Sequence, residues 1–320
     1  MNKDAAPNAI NNMRPLQKFQ HPDITAGGAV RATVAFEKLD TLWVNTGTLC
    51  NIECAHCYIE SSPANDRLAY LTADELAPFL DEAAAMGGRE IGFTGGEPFM
   101  NPEMPAMADA ALSRGFEILI LTNAMRPMMR PQIKQALMDL RQRFENRLKL
   151  RVSLDHFSPA QHDEEREPGS FKSALAGLCW LRDNGFSTSI AGRLRWGGGE
   201  AAMREGFAAL FKTAQLPLNA SDPTQLILFP EMDETAAVPE ITAECWKILG
   251  KDPRDVMCAS SRMLVKRKGA TAPIVVSCTL LAYDRQFEMG ETLGEAAAPV
   301  KLNHPHCAKF CVLGGASCSG

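Results

Sequence analysis

Cys50, Cys54 and Cys57 stand in the run Leu49-Cys50-Asn51-Ile52-Glu53-Cys54-Ala55-His56-Cys57-Tyr58, a Cys-x3-Cys-x2-Cys spacing. This spacing puts three thiolates within reach of one small metal centre and supplies no obvious fourth. A [4Fe-4S] cluster normally takes four thiolates. A cluster held by three keeps one iron open, and an open coordination site is where metal chemistry takes place. A zinc site with His56 as fourth ligand is the alternative on the same residues. His56 lies between Cys54 and Cys57, a poor place from which to close a tetrahedron.

Gly95-Gly96-Glu97-Pro98 follows downstream. Together with the cysteine run, and with Tyr58 as the aromatic after the third cysteine, it resembles the signature of the radical S-adenosylmethionine (SAM) enzymes. The resemblance implies that the open iron chelates the amino and carboxylate groups of SAM. One electron from the reduced cluster then breaks the S–C5′ bond, and a 5′-deoxyadenosyl radical abstracts a substrate hydrogen. It also implies roles for other residues. Glu97 and the carbonyls of Gly95 and Gly96 would accept from the SAM ammonium, glycine allowing close backbone approach. Ser153, in Arg151-Val152-Ser153-Leu154-Asp155, would bond the ribose or carboxylate of SAM. Asn123 resembles the asparagine of a Thr-Asn-Gly turn, with Ala124 in the glycine position, so a differently shaped loop is expected there. The guanidinium fork of Arg193 suits the SAM carboxylate. Arg195 competes for that role, and a surface ion pair is the alternative. Ile190-Ala191-Gly192 would form an apolar shelf for adenine. His156, His162, Asp163 and Arg166 resemble a run that locks a loop by ion pairs.

Cys258, Cys278, Cys307, Cys311 and Cys318 crowd the C-terminal end of the chain. The Cys307-x3-Cys311-x6-Cys318 run and the Gly290 turn resemble the SPASM or Twitch modules of radical SAM members with auxiliary clusters. Five cysteines are too few for two full clusters. The resemblance therefore implies one auxiliary [4Fe-4S] cluster on four of the five. A structural zinc site, helped by His304 or His306, is the alternative. Cys179 and Cys245 sit on apolar helix faces and read as core thiols.

The elements that must position these residues alternate. Strand patterns cover 41–45, 89–93, 116–121, 148–154, 186–194 and 225–229. Helical patterns lie between them, one opened by a Thr72-x-x-Glu75 capping box. Strand–helix alternation gives a parallel α/β sheet, and the resemblance implies a partial (β/α)6 barrel. Ligands of such sheets sit at the carboxyl ends of the strands, where each motif above falls. The expected division is a flexible arm at 1–37, the radical SAM barrel at 38–230, a connector at 231–256 and a cysteine-rich module at 257–320. A hairpin is expected at 261–265 and 273–277.

Apolar residues make up 46%, charged residues 22% and net charge is −5, as in an ordinary globular protein. No basic tract points to nucleic acid. No apolar stretch is long enough for a membrane span, and no export signal is read at the N-terminus. Ten cysteines in that setting read as metal ligands and core thiols of a reducing cytoplasm. The expected function is a radical SAM oxidation or cross-link of a peptide or small metabolite. The reducing partner would be an electron donor such as flavodoxin or ferredoxin. A non-catalytic Fe–S electron carrier or sensor and a zinc-stapled binding module are the readings from other classes. Among relatives, the nucleotide cyclase of molybdopterin synthesis ranks low, because Cys258-x19-Cys278 replaces its tight cysteine pair.

Overall fold

The computed structural model describes residues 17–231 and 237–315. Eleven strands run in chain order as β1 (Thr33–Val34), β2 (Thr41–Asn45), β3 (Glu90–Thr94), β4 (Glu117–Thr122), β5 (Leu148–Ser153), β6 (Ser187–Leu194), β7 (Leu226–Pro230), β8 (Ser261–Val265), β9 (Ile274–Val276), β10 (Glu288–Gly290) and β11 (Val300–Lys301). Helices are α1 (Ala73–Ala85), α2 (Met104–Ser113), α3 (Pro131–Phe144), α4 (Pro159–Arg166), α5 (Ser170–Asp183), α6 (Gly199–Thr213), α7 (Cys245–Leu249) and α8 (Leu293–Ala296).

Nine strands form one sheet in the order β10-β9-β8-β2-β3-β4-β5-β6-β7. The predicted six are β2 to β7, all parallel. Strands covered on both faces read as unbroken apolar runs. Ile118, Leu119 and Ile120 of β4 are such a run, and all three are buried. Thr72 caps α1 in a reciprocal box with Glu75, as predicted. The main core lies between this sheet and its helices, with Phe93, Ile118, Leu150 and Phe207 fully enclosed.

The expected hairpin is β8 and β9, and it does not stand apart. β8 pairs in parallel with β2, Thr41 opposite Ser261, so the hairpin extends the barrel sheet. In the described part of the N-terminal segment, residues 17–37, Thr25, Arg31, Ala32 and Val34 are buried. β1 pairs with β11. Arg31, 2% exposed, donates to Glu240 Oε1 at 2.6 Å and to the His21 and Leu302 carbonyls. A two-residue strand and a buried ion pair leave no periodicity in the sequence, which is why this packing was not visible there. No described helix is long and apolar enough to cross a membrane.

Candidate active site

The cysteine loop leaves the carboxyl end of β2 and is pinned along its length. Thr46 N donates to Thr94 O at 2.8 Å, Cys50 N to Ser62 O at 3.1 Å and Ala55 N to Glu165 O at 2.8 Å. Cys50, Cys54, Cys57, Tyr58, Gly95, Gly96, Asn123, Ser153 and Arg193 all line one cleft of about 670 Å3. Glu97, Arg195 and the Ile190-Ala191-Gly192 shelf are missing from its walls, and Ala191 and Gly192 line the adjoining cavity instead. Burial pushes the Cys50 thiol up to about 12 and that of Cys54 to about 11, with Arg166 pulling Cys54 back down. Thiols so poorly solvated are weak free nucleophiles, and a thiolate-ligated metal group is one setting in which they carry charge. This donor set, three soft ligands on one wall of a roomy cleft, fits a [4Fe-4S] group with an open position. His56, the fourth ligand of the zinc alternative, instead has its Nδ1 3.0 Å from Glu165 Oε2.

Gly95 and Gly96 serve a purpose the sequence did not reveal. A Cβ on Gly95 would lie 2.5 Å from the Gly47 carbonyl oxygen, and one on Gly96 2.3 Å from that of Leu49. The missing side chains make room for the cysteine loop itself. Gly96 N donates to Gly47 O at 2.8 Å and Glu97 N to Leu49 O at 3.2 Å, so the two loops are joined backbone to backbone.

Glu97 stands behind the cleft wall, 2% exposed. Its carboxylate accepts from Thr122 Oγ1 and Asn123 N, both at 2.8 Å, and from Phe99 N at 3.3 Å. Burial raises its pKa to about 7 in spite of these donors. Its side chain therefore ties the end of β3 to the end of β4. Asn123, fixed by that tie, donates from Nδ2 to Asn51 Oδ1 at 2.9 Å and lies 3.9 Å from Cys50 Sγ. Ala124, in the position expected to reshape the loop, holds the left-handed φ of +55° that glycine adopts at no steric cost.

Arg193 lines the cleft but is engaged. Its Nη1 donates to Glu165 Oε1 at 2.6 Å and to His56 O at 3.3 Å, and Nη2 lies 3.6 Å from Glu231 Oε1. Arg195 reaches the same two carboxylates, at 3.7 Å and 3.2 Å. Glu165, 2% exposed, is thus a hub that the sequence reading passed over. It accepts from His56 N at 3.0 Å as well, and so joins the cysteine loop, α4 and β6. Its only signal was a charged run, Asp163-Glu164-Glu165-Arg166, which does not say which acid turns inward. In the same run Asp163 caps the start of α5, accepting from Gly169 N at 2.7 Å and Phe171 N at 2.8 Å. Arg166 pairs with Asp155 through two bonds of 2.6 Å and 3.1 Å. Burial pushes the Asp155 carboxyl up, but Arg166 outweighs it and holds the acid below the usual carboxylate range.

A second cavity of about 720 Å3 shares Tyr58, Ser153, Asp155, Arg166 and Arg193 with the cleft. It continues to Phe229, Leu280 and Phe310, so the C-terminal region supplies one of its walls. Phe229 and Phe310 stack there with ring centres 5.7 Å apart. Cys258 and Cys307 are buried in one apolar cluster, and Cys278 and Cys311 pack against it. Burial raises the Cys307 thiol, and the neighbouring Cys278 and Cys258 raise it further. Cys318 lies outside the described residues. No trio of described His, Cys, Asp or Glu side chains is gathered closely enough for a single metal ion.

Comparison with known proteins bears on this geometry. Residues 44–194, from β2 to the end of β6, match the radical SAM superfamily. This matched segment resembles a radical SAM domain. Its barrel segment is 32% identical over 145 residues to an AdoMet-dependent heme synthase of Methanosarcina barkeri, covering 44% of this chain and 38% of that protein. It is 29% identical over 143 residues to the antilisterial bacteriocin subtilosin biosynthesis protein AlbA of Bacillus subtilis, covering 44% and 30%. A GTP 3',8-cyclase of Tolumonas auensis is 30% identical over 140 residues, covering 43% and 39%. The chain thus matches less than half the length of these relatives. Two solved structures share the partial-barrel fold. Streptococcus suis SuiB bound to S-adenosylmethionine superposes with a TM-score of 0.58 at 11% identity, covering 79% of this chain and 63% of that one. Native anSMEcpe with bound AdoMet superposes with a TM-score of 0.57 at 13% identity, covering 80% and 79%.

Proposed function

We propose that the chain is a radical SAM enzyme whose catalytic [4Fe-4S] cluster is held by Cys50, Cys54 and Cys57. The observation that carries this reading is the convergence of three thiols, the Gly95-Gly96 turn, Asn123 and Ser153 on one cleft at the carboxyl ends of parallel strands. When bound, the cluster and SAM supply the electron and the 5′-deoxyadenosyl radical that takes a hydrogen from the substrate. The residues of the chain do the rest. Ser153 presents a hydroxyl to the ribose or carboxylate of SAM, Gly95 and Gly96 present backbone to its methionine end, and Tyr58 flanks the third thiol. Glu97 serves from behind, holding Asn123 beside Cys50. Arg193 serves through its pair with Glu165, which fixes the cysteine loop.

The second cavity is the proposed substrate site. Its apolar wall of Phe229, Leu280 and Phe310 keeps water from the reacting centre. A peptide or small metabolite is the proposed substrate, undergoing an oxidation or cross-link. SuiB bound to precursor peptide SuiA and anSMEcpe bound to the Cp18Cys peptide, structures of the same fold, support the peptide arm of that proposal. One auxiliary [4Fe-4S] cluster is proposed on four of Cys258, Cys278, Cys307, Cys311 and Cys318. The gathering of the first four in and against one apolar cluster supports it. The reading also carries a cytoplasmic setting, a flavodoxin or ferredoxin as electron donor, and a division into barrel 38–230, connector 231–256 and C-terminal module 257–320.

Anaerobic reconstitution tests the proposal. Iron and sulfide are counted, the protein is reduced with dithionite, and 5′-deoxyadenosine is measured after addition of SAM. About eight irons, at four per cluster, with cleavage lost in Cys54→Ala, is the expected result. About four irons with cleavage retained would remove the auxiliary cluster alone. Bound iron without cleavage would refute the catalytic reading in favour of an electron carrier or sensor.

A further inference from the structure

Asn123 follows β4 and is 5% exposed. Every hydrogen-bonding group of its side chain has a partner. Oδ1 accepts from Met125 N at 3.0 Å. Nδ2 donates to Asn51 Oδ1 at 2.9 Å and reaches Cys50 Sγ at 3.9 Å. The bond from Met125 sets the orientation of the amide. A backbone N–H can only donate, so the amide oxygen faces Met125 and the two amide hydrogens face Asn51 and Cys50. The main chain here is fixed separately. Asn123 N donates to Glu97 Oε2 at 2.8 Å, and the neighbouring Thr122 Oγ1 donates to Glu97 Oε1 and accepts from Ala124 N at 3.0 Å. Rotating the amide away from Cys50 would therefore break the bonds to Met125 and Asn51. Cys57 also has a donor at its sulfur, Ser61 N at 3.3 Å, but that one is backbone. Among the described residues Asn123 is the side chain that donates to one of the three thiols.

We propose that Asn123 is a built-in hydrogen-bond donor to the Cys50 thiolate, and that this bond raises the reduction potential of the catalytic cluster. This rests on the assignment of a [4Fe-4S] group to Cys50, Cys54 and Cys57. One electron from the external reductant adds one negative charge to the cluster and its thiolates, with no covalent bond made or broken there. An N–H aimed at a sulfur interacts more favourably with the more negative state, and so favours reduction. The sign follows from which end of the amide faces Cys50, and Met125 N decides that. Cys50 is 6% exposed, so water is poorly placed to stand in for a donor that is removed.

The test is a mediated redox titration of the anaerobically reconstituted protein, followed by electron paramagnetic resonance. The catalytic cluster is identified as the signal that changes on addition of SAM. Asn123→Ser keeps an oxygen that can accept from Met125 N, since serine closes the same kind of turn, but its hydroxyl stops short of Cys50. Its midpoint is expected to lie at a more negative potential than the wild type. Asn123→Asp keeps the shape and the turn and sets an acceptor oxygen where the N–H stood. Its midpoint is expected to lie lower still. A wild-type midpoint in either variant, or a higher one, overturns the proposal. If one variant fails to retain iron, the other decides by the same reading. Loss of iron from both makes Asn123 a strut of the cysteine loop and overturns the tuning role. A wild-type protein with no SAM-responsive cluster signal refutes the cluster assignment, and this inference falls with it.

Discussion

Replacing Gly96 by alanine places a methyl carbon 2.3 Å from the Leu49 carbonyl oxygen, 2.6 Å from its carbon and 2.7 Å from Thr48 O. All three are backbone atoms, so no side chain can rotate away. The Gly95–Glu97 turn and the cysteine loop must part by roughly 1 Å, which is overpacking of the kind that costs about 1–3 kcal/mol. The bonds from Gly96 N and Glu97 N to the cysteine loop, 2.8 Å and 3.2 Å, stretch with it. At about 1 kcal/mol for a lost bond, the total is about 2–4 kcal/mol. Unfolding entropy near 2.1 cal/mol/K per residue over 320 residues converts this to a fall in Tm of about 3–6 °C. Gly197→Ala is the control, because nothing lies within 4 Å of its added Cβ. It should stay within about 0.5 kcal/mol of the wild type. Calorimetry of both variants, with anaerobic iron counts, reads the outcome. The Gly96 variant should melt earlier and bind less iron, since Leu49 precedes Cys50. A Gly96→Ala protein with wild-type Tm and full iron would show that the two loops do not abut as described. Equal losses in both variants would remove the steric argument.

Three other outcomes follow from the same site. Because burial raises Glu97 to about 7 from the ordinary carboxyl value of 4.5, the folded chain keeps this proton between those values while the unfolded chain loses it. Stability from this group is present at low pH and declines as pH rises through that window, by about 3 kcal/mol in all; in denaturant titrations the cluster-free wild type should lose that amount relative to Glu97→Gln from pH 4.5 to 7.5, and a constant difference contradicts the assignment. Glu165→Gln removes the anion from between Arg193 and His56 and leaves a buried guanidinium short of charge, so equilibrium unfolding should show a loss of about 3 kcal/mol; a change below 0.5 kcal/mol would mean the hub carries no weight. Ser153→Ala should weaken SAM binding about fivefold, the value of one hydrogen bond near 1 kcal/mol, without altering Tm; calorimetric titration of the reconstituted protein measures it, and unchanged affinity removes Ser153 from the SAM site.

The six parallel strands were legible because a doubly covered strand has no choice but to be apolar throughout, as Ile118 to Ile120 are. The cysteine spacing was legible because it is local. What failed to show was the part of the design that depends on what folds against what. α4 carries Gln161, His162, Asp163, Glu164, Glu165 and Arg166 with no apolar stripe, so it read as a loop lock and not as a helix. Glu165 gains its meaning only from Arg193 and His56, both distant in sequence. Gly95 and Gly96 were read as places where backbone approaches a ligand, whereas the close neighbours the structure shows there belong to the cysteine loop. Arg193 was read as an open fork, and the acids that occupy it lie at 165 and 231. The pairing of β8 with β2 joins segments more than 200 residues apart and leaves no trace in either pattern.

That pairing has a mechanical consequence. β8 runs parallel to β2; Cys50 follows the far end of β2, whereas Cys258 precedes β8. Cys278 follows β9, which runs back antiparallel to β8, and so returns to the same end as Cys258. Cys258 and Cys278 thus leave the sheet at the end opposite to the one from which the cysteine loop departs. The segments beyond fold back toward each other: Tyr58, next to Cys57, packs against the apolar cluster that buries Cys258 and Cys307, and Leu280 and Phe310 wall the cavity beside the cleft. A continuous hydrogen-bonded sheet joins β2 to β8, so both sets of thiols ride on one frame.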